Sequence, residues 1–424
     1  MAAVLLVSFF VMVFLNVPIA ASLGLSSLFG IIYGGYPISM LPGTMFASIG
    51  KFALLAIPFF ILAGVIMEKA GISEKLIDFA DVMVGHKKSG LISVVVIVSC
   101  FFAAISGSGP ATVAALGSVL IPAMIKQGYD GGLSSALMAS SGAIGIIIPP
   151  SIAFVVYASI ADASIAKLFM GGIIPGIILG VAYVVAAMYG SRNSKNITLR
   201  PKATRAEKWK SFKQAFWGLL TPVIILGGIY SGIFTPTESA GVAVVYGLIV
   251  GMFIYKKIKL KDLPGIFVES AISSATVMYI IATASVFAWI LTTSHIAGNI
   301  SDALINIAGN KYIAIIIMNI IFLIAGCFMD ANSAFYILIP IMLPVIQNFG
   351  LDPIHVGVFL TVNLAIGQIT PPVGINLYVA TNVSGVSVTD TIRNIIPFIV
   401  FGVIALLMIS FIPQITMLIP NLMK

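Results

Sequence analysis

Charge is what this chain has least of. Only 8% of its residues are Asp, Glu, Lys or Arg, against about 25% in an ordinary soluble domain. That shortage excludes a solvated surface over most of the chain. Cysteine is nearly absent. Cys100 and Cys327 both sit in apolar runs, which leaves no disulfide framework and no thiolate cluster. The three histidines, His86, His295 and His355, are scattered, and no His/Cys/carboxylate spacing suits a transition metal. No GxxxxGK[ST] loop occurs, which removes ATP hydrolysis by that route. The serines lack a His/Asp pair for nucleophilic catalysis, so no enzyme and no organic cofactor is expected. The net charge of +8 comes without a basic face interleaved with aromatics, so nucleic acid is not expected as a partner.

What fills the chain instead is apolar: 60% of the 424 residues are hydrophobic. A span needs roughly 20 such residues, which allows about a dozen crossings or re-entrant segments. The expectation is an all-α polytopic membrane protein with the lipid bilayer as its solvent. Met1-Ala2-Ala3 carries no basic n-region and no Ala-x-Ala site follows, so the start reads as mature sequence rather than a signal peptide.

The second half repeats the first. Pro122, Gly128 and Asp130 return as Pro344, Gly350 and Asp352, a spacing of 222 positions. At the same spacing Gly145, Pro149 and Pro150 return as Gly367, Pro371 and Pro372, and Ile173-Ile174-Pro175 as Ile395-Ile396-Pro397. In so apolar a chain, internal symmetry points to a secondary transporter whose Gly- and Pro-broken helices line the substrate path.

Two pairs of short apolar segments, 91–105/110–125 and 312–327/333–347, meet at Ser106-Gly107-Ser108-Gly109-Pro110 and Met329-Asp330-Ala331-Asn332-Ser333. Each pair reads as a re-entrant helical hairpin. Its polar tip is tolerable at membrane depth only inside protein or beside a wet cavity. The segments 133–160 and 353–382 are broken midway, at Gly142 to Pro150 and Gly367 to Gly374. A Pro-Pro pair removes two backbone donors there. Ahead of each hairpin runs an amphipathic stretch, Gly71 to Gly85 and Gly298 to Gly309, expected to lie along the membrane surface as a connecting arm.

The linker Arg192 to Lys213 holds eight basic residues and one acid, Glu207, and the positive-inside rule places it in the cytoplasm. Counting crossings from it, with each hairpin as zero, puts 18 of the 22 basic residues inside. Lys51, Lys167, Lys311 and Lys424 remain outside, with both chain ends. Each half then crosses an odd number of times, so the halves are inverted. The expected domains are a first repeat over 1–190 (scaffold 2–67, arm 70–86, transport part 89–190), a basic linker over 191–214, and a second repeat over 215–424 (scaffold 215–293, arm 295–310, transport part 312–412).

The first tip offers the Ser106, Ser108 and Thr112 hydroxyls. Small-residue packing explains them alone; the matched second tip and the nearby break favour an ion and anion site. Hydroxyls and unwound carbonyls suit Na⁺, and helix N-termini suit a carboxylate. Asp330 is the one acid expected deep in the membrane, where an unpaired charge is costly. It reads as a helix cap, as part of a cation site, or as both. Glu238 reads as a helix N-terminal residue, His295 as interfacial, and His86 and His355 as lying near loops. Glu269 faces either an arm or the interface.

Four segments together resemble the large membrane subunit of tripartite ATP-independent periplasmic transporters. They are Ser106 to Thr112, Gly145 to Ser151, Phe328 to Ser333, and Gly367 to Asn376. The resemblance covers essentially the whole chain. It implies a Na⁺-coupled importer of an organic anion, of the sialic acid or C4-dicarboxylate class, in a bacterial inner membrane. It also implies two separate partners, a small four-helix membrane subunit and a periplasmic substrate-binding protein. On this reading Ser106, Ser108, Gly142, Gly145 and Pro149 build one sodium site. Gly326, Asp330, Asn332, Gly367, Thr370 and Pro371 build the other, and Ser106, Ser108, Ser151 and Asn376 bind substrate. The transport parts move as a rigid body in an elevator-type motion against the scaffold. The alternatives are a stand-alone divalent-anion:Na⁺ symporter and, more distantly, an intramembrane enzyme using Asp330 and His295.

Overall fold

The computed structural model describes residues 1–86, 89–193 and 201–422. All regular structure among them is helical. The chain opens with α1 (Ala2–Phe14), α2 (Ile19–Tyr33), α3 (Met40–Ile49) and α4 (Ala56–Lys69), followed by α5 (Ile72–Val84). Then come α6 (Gly90–Ser106), α7 (Gly109–Lys126), α8 (Gly131–Ala143), α9 (Ile152–Ala161) and α10 (Ile165–Gly190). The second half begins with α11 (Arg205–Tyr230), α12 (Pro236–Ile249), α13 (Leu263–Thr293) and α14 (Ile296–Ala308). It continues with α15 (Lys311–Phe328), α16 (Ala331–Asn348), α17 (Pro353–Gly367), α18 (Ile375–Ser384), α19 (Val388–Phe411) and a short α20 (Pro413–Met417). Among the described residues, nine helical stretches are long and apolar enough to cross a membrane.

The caps explain where these helices start. Asp130 Oδ1 accepts the Leu133 N–H at 2.9 Å and opens α8, and Asp352 Oδ1 accepts the Ile354 N–H at 2.7 Å and opens α17. Thr235 and Glu238 form a reciprocal capping box at the head of α12, the structural role expected for that acid. A second box, Thr204 with Glu207, opens α11. This corrects one boundary: residues 205–214, read as linker, are the first turns of a 26-residue helix. Lys87, Lys88, Lys195, Arg200 and Lys424, used in the charge count, lie outside the described residues, as does Ser194.

The hairpin helices are also longer than their apolar runs suggested. α7, α15 and α16 each have 18 residues, about 27 Å at 1.5 Å per residue. That is close to the hydrocarbon thickness of roughly 30 Å, so re-entrance does not follow from length. The ends of these helices keep the sequence spacing: α6 and α15 end at Ser106 and Phe328, and α7 and α16 run over 109–126 and 331–348.

α8 and α17 sit at the centre. Every residue from Ile354 to Gly367 is buried, as is every residue from Gly132 to Ala143. A helix apolar all round belongs inside a bundle. Around them the two halves interlock: α18 packs on α7 and α8, while α9 packs on α16. α1 to α4 pack with α11 to α13 as a second group, and α4 and α13 contact the hairpins. The arms α5 and α14 lie against α6 and α16, with Ile72, Leu76 and Ala80 of α5 turned inward.

His355 lies just past a loop, buried in the first turn of α17. Its Nε2 lies 3.1 Å from the Ser410 carbonyl, so that nitrogen carries the proton, and Nδ1 lies 2.8 Å from Thr416 Oγ1. Nearby, Asn363 Nδ2 donates to Asn319 Oδ1 at 2.9 Å, and Asn319 Nδ2 donates to Ser410 Oγ at 3.1 Å. These bonds satisfy most of the polar groups there, which would otherwise be costly in an apolar interior, and leave Asn363 Oδ1 without a donor. Glu269 pairs with Lys69 at 3.1 Å, half-exposed, which settles its environment. His295 is exposed at the turn before α14, with φ 56°.

Candidate functional site

The first tip forms because α6 cannot continue. Gly107 takes φ 62°, a left-handed value that glycine adopts without strain. Ser108 then caps α7, its Oγ accepting the Ala111 N–H at 3.5 Å. Ser106 Oγ lies 2.9 Å from Thr112 Oγ1, which donates to the Ser108 carbonyl at 2.8 Å. The break after α8 lies directly behind. A methyl at Gly145 would stand 2.9 Å from Ser108 O and 3.0 Å from Thr112 Oγ1. One at Gly142 would stand 3.2 Å from Gly109 O. Glycine at both places lets the two backbones meet, so Ser106, Ser108, Gly142 and Gly145 come together as expected. Pro149 lies in the same break, joined to Pro150 by a cis peptide bond. The Pro150 carbonyl would be 2.7 Å from a methyl on Gly107.

At the second tip Asp330 caps α16. Its Oδ2 accepts the N–H groups of Asn332 and Ser333 at 3.0 and 3.4 Å, and Oδ1 accepts the Ser333 hydroxyl at 2.5 Å. Gly326 and Gly367 meet backbone to backbone: a methyl on Gly367 would lie 2.5 Å from Gly326 Cα. The Val373 and Gly374 N–H groups donate to the Cys327 carbonyl at 3.2 and 3.3 Å, tying the second break to α15. Thr370 is less central than expected. Its hydroxyl donates back to Ile366 O at 2.7 Å, and Pro371 beside it is only half-buried.

The tips share a space. A cavity of about 100 Å³ is lined by Gly107, Ser108 and Pro110 from one and by Asp330, Ala331 and Asn332 from the other, with Gln368 beside them. A neighbouring cavity of about 170 Å³ reaches from Ser106 and Ser108 to Glu68 on α4 and Ser273 on α13. Ser108, Ile152 and Val277 border both spaces. Glu68, Ser273 and Gln368 were not picked out from sequence. Gln368 carried a signal: it is polar where its counterpart 222 positions earlier, Ile146, is apolar.

Ser151 caps a helix. Its side chain is fully buried. The hydroxyl donates to Ile146 O at 2.5 Å and accepts the Phe154 N–H at 3.3 Å, capping α9. Its proton is committed to backbone, which leaves at most one acceptor lone pair for a ligand. Asn376 is also fully buried, and its Nδ2 donates to Ala139 O at 3.3 Å across the two halves.

The arrangement offers oxygens to a hard cation and, at the head of α7, a helix N-terminus to an anion; the head of α16 already holds the Asp330 carboxylate. Among the described residues there is no group of three His, Cys, Asp or Glu that could hold a metal ion.

Comparison with known proteins fits this geometry. The C4-dicarboxylate TRAP transporter large permease protein DctM of Pseudomonas aeruginosa is 40% identical over 401 residues, covering 94% of each chain. The sialic acid TRAP transporter large permease protein SiaM of Vibrio cholerae is 35% identical, covering 97% of this chain and 96% of that one. The isethionate TRAP transporter permease protein DctMQ of Oleidesulfovibrio alaskensis is 42% identical, and this chain spans 64% of that longer protein. Among solved structures, the MtrF protein of Neisseria gonorrhoeae shares the fold at a TM-score of 0.62 and 13% identity, covering 88% of this chain and 83% of that one. The family described as the DctM component of the tripartite ATP-independent periplasmic transporter matches residues 6–415. The relatives are transport permeases rather than enzymes. Two capped tips meeting at one cavity, in a chain matched along almost its full length, make this a multi-pass inner-membrane permease subunit that belongs to the DctM family of TRAP transporters.

Proposed function

We propose that this chain is the permease of a Na⁺-coupled importer of an organic anion, which binds between the two hairpin tips. The single observation that carries the reading is the cavity that Ser108 and Asp330 line together, one from each half. The names of the relatives add the substrate range: C4-dicarboxylate, isethionate and sialic acid are all organic anions. The substrate carboxylate would meet the N-terminus of α7. One Na⁺ would sit among Ser106, Ser108, Gly142, Gly145 and Pro149, where the Ser108 and Gly109 carbonyls crowd the break. The other would sit among Gly326, Asp330, Asn332, Gly367, Thr370 and Pro371. Ser106, Ser108 and Asn376 would bind substrate, while Ser151 holds the break in shape.

The halves would be inverted repeats. The interlocked group α6–α10 with α15–α19 would then move as one body, elevator-fashion, against α1–α4 and α11–α13. Coupling requires that Na⁺ and substrate stabilise the same crossing-competent state. A small four-helix subunit would dock on the scaffold, and a periplasmic binding protein would deliver the anion. The test is uptake of radiolabelled sialic acid and C4-dicarboxylates into proteoliposomes holding all three components, with and without a Na⁺ gradient. Uptake that ignores the gradient would reject the coupling.

A further inference from the structure

Three carboxamides of the second half converge on the first hairpin tip with their carbonyl oxygens unused. Gln368 is 2% exposed and Asn376 is fully buried. The side-chain oxygens of both, and that of half-buried Asn332, are shielded from solvent and accept no hydrogen bond. Asn376 Nδ2 donates to Ala139 O at 3.3 Å. A methyl on Gly109 would stand 2.7 Å from Gln368 Oε1, 3.0 Å from Asn376 Nδ2 and 3.3 Å from Asn376 Oδ1. Both oxygens therefore reach the first turn of α7. Gln368 and Asn332 also line the cavity between the tips.

Buried acceptors without donors are costly, and native proteins keep few of them. The counterparts of Asn332, Gln368 and Asn376 in the first half are Pro110, Ile146 and Phe154, none of which has a side-chain acceptor. The architecture common to both halves therefore does not require these oxygens. A carboxylate cannot satisfy them, having no proton to give. A hydroxyl or amide N–H can. The N-terminus of α7 beside them accepts the opposite kind of group, a negative charge.

We infer that Asn332 and Gln368, which line the cavity, form a subsite for hydrogen-bond donors on the substrate, so the substrate class is carboxylates bearing hydroxyl or amide N–H groups. This rests on the reading of the cavity as an organic-anion site and narrows it. A site built to hydrogen-bond a substrate hydroxyl discriminates strongly against the analogue that lacks it, because its own buried groups are left unpaired.

The test uses the full-length chain in lipid nanodiscs and follows its thermal unfolding with three matched pairs of acids in NaCl and in choline chloride. The pairs are tartrate and succinate, lactate and propionate, gluconate and hexanoate. In NaCl, the hydroxylated member of at least one pair is expected to stabilise the protein at about tenfold lower concentration than its partner. Gln368→Met is expected to erase that preference, leaving the response to Na⁺ alone unchanged. Asn332→Leu is expected to erase it too and, because Asn332 also stands in the second Na⁺ site, to weaken the response to Na⁺. If Gln368→Met fails to fold, Gln368→Leu decides. Equal, Na⁺-dependent responses within every pair would overturn the donor subsite and leave the organic-anion reading standing. So would variants that shift the Na⁺ midpoint while the preference survives, which would make the oxygens cation ligands. No Na⁺-dependent response to any acid would reject the organic-anion reading and this inference with it.

Discussion

Ser108 and Asp330 occupy the same place in the two halves, each capping the second helix of a hairpin, and both line one cavity of about 100 Å³. The chemistry at that shared place differs. Ser108 brings a neutral hydroxyl. Asp330 brings a carboxylate that already accepts two backbone N–H groups and a hydroxyl.

Asp330→Ala and Asp330→Asn separate the cap from the charge. The alanine removes a cap worth about 1 kcal/mol, and asparagine retains most of it. Both variants are expected to express and to bind the small subunit. Asp330→Asn is expected to lose most Na⁺-driven uptake, or to need several times more Na⁺. An unchanged Na⁺ dependence in Asp330→Asn, with failure in Asp330→Ala, would leave Asp330 as a cap alone.

Gly367→Ala should be severe. Its new methyl would lie 2.5 Å from Gly326 Cα, a backbone atom that cannot rotate away. Overpacking of this kind costs about 1–3 kcal/mol, so the unfolding temperature should drop. Gly227→Ala in α11 is the control, because nothing lies within 4 Å of its added methyl. Thermal unfolding of both variants in nanodiscs checks the contrast. Equal effects would mean that the α15–α17 contact is looser than described.

Ser151→Ala should lower stability by about 1 kcal/mol through loss of the α9 cap, with the substrate concentration for half-maximal uptake unchanged. A large rise in that concentration, with stability intact, would return Ser151 to the substrate site.

Topology has its own test. Lys257 is expected to face the cytoplasm and Ala161 the outside, as is Ser194 of the linker the cytoplasm. Single cysteines at these positions, in a background lacking Cys100 and Cys327, should react with an impermeant maleimide in that pattern. Labelling of position 194 from outside in intact cells would reverse the orientation.

The chain alone, reconstituted without the small subunit and the binding protein, should show little uptake. Saturable Na⁺-driven uptake by the single chain would favour a stand-alone symporter.

Much of this fold is legible in the sequence, because its punctuation is local. Ser108, Asp330, Asp130 and Asp352 each stand just before an apolar run and each turn out to be caps. The Pro-Pro pairs mark both breaks without any knowledge of packing. What stays hidden depends on neighbours distant in the chain. Ser151 looks the same in sequence whether its hydroxyl caps α9 or binds a ligand. Glu68 reads as the end of a span. It shares a cavity with Ser106 because α4 packs beside the end of α6, a pairing that no local sequence signal announces. Gln368 and Asn376 read as polar residues near a break, and only Gly109 and Ala139 reveal that their oxygens go unused.

The interlocking of α18 with α7 and α8, and of α9 with α16, fixes how divisible this protein is. A fragment ending at Gly190 would own one wall of the cavity, with hydroxyls and glycines but none of the three carboxamides. A fragment starting at Arg205 would own the other wall and lack the α7 tip that its amides face. Neither piece is a smaller version of the whole. Each half supplies one wall, and only the second wall holds Asp330 and the amides.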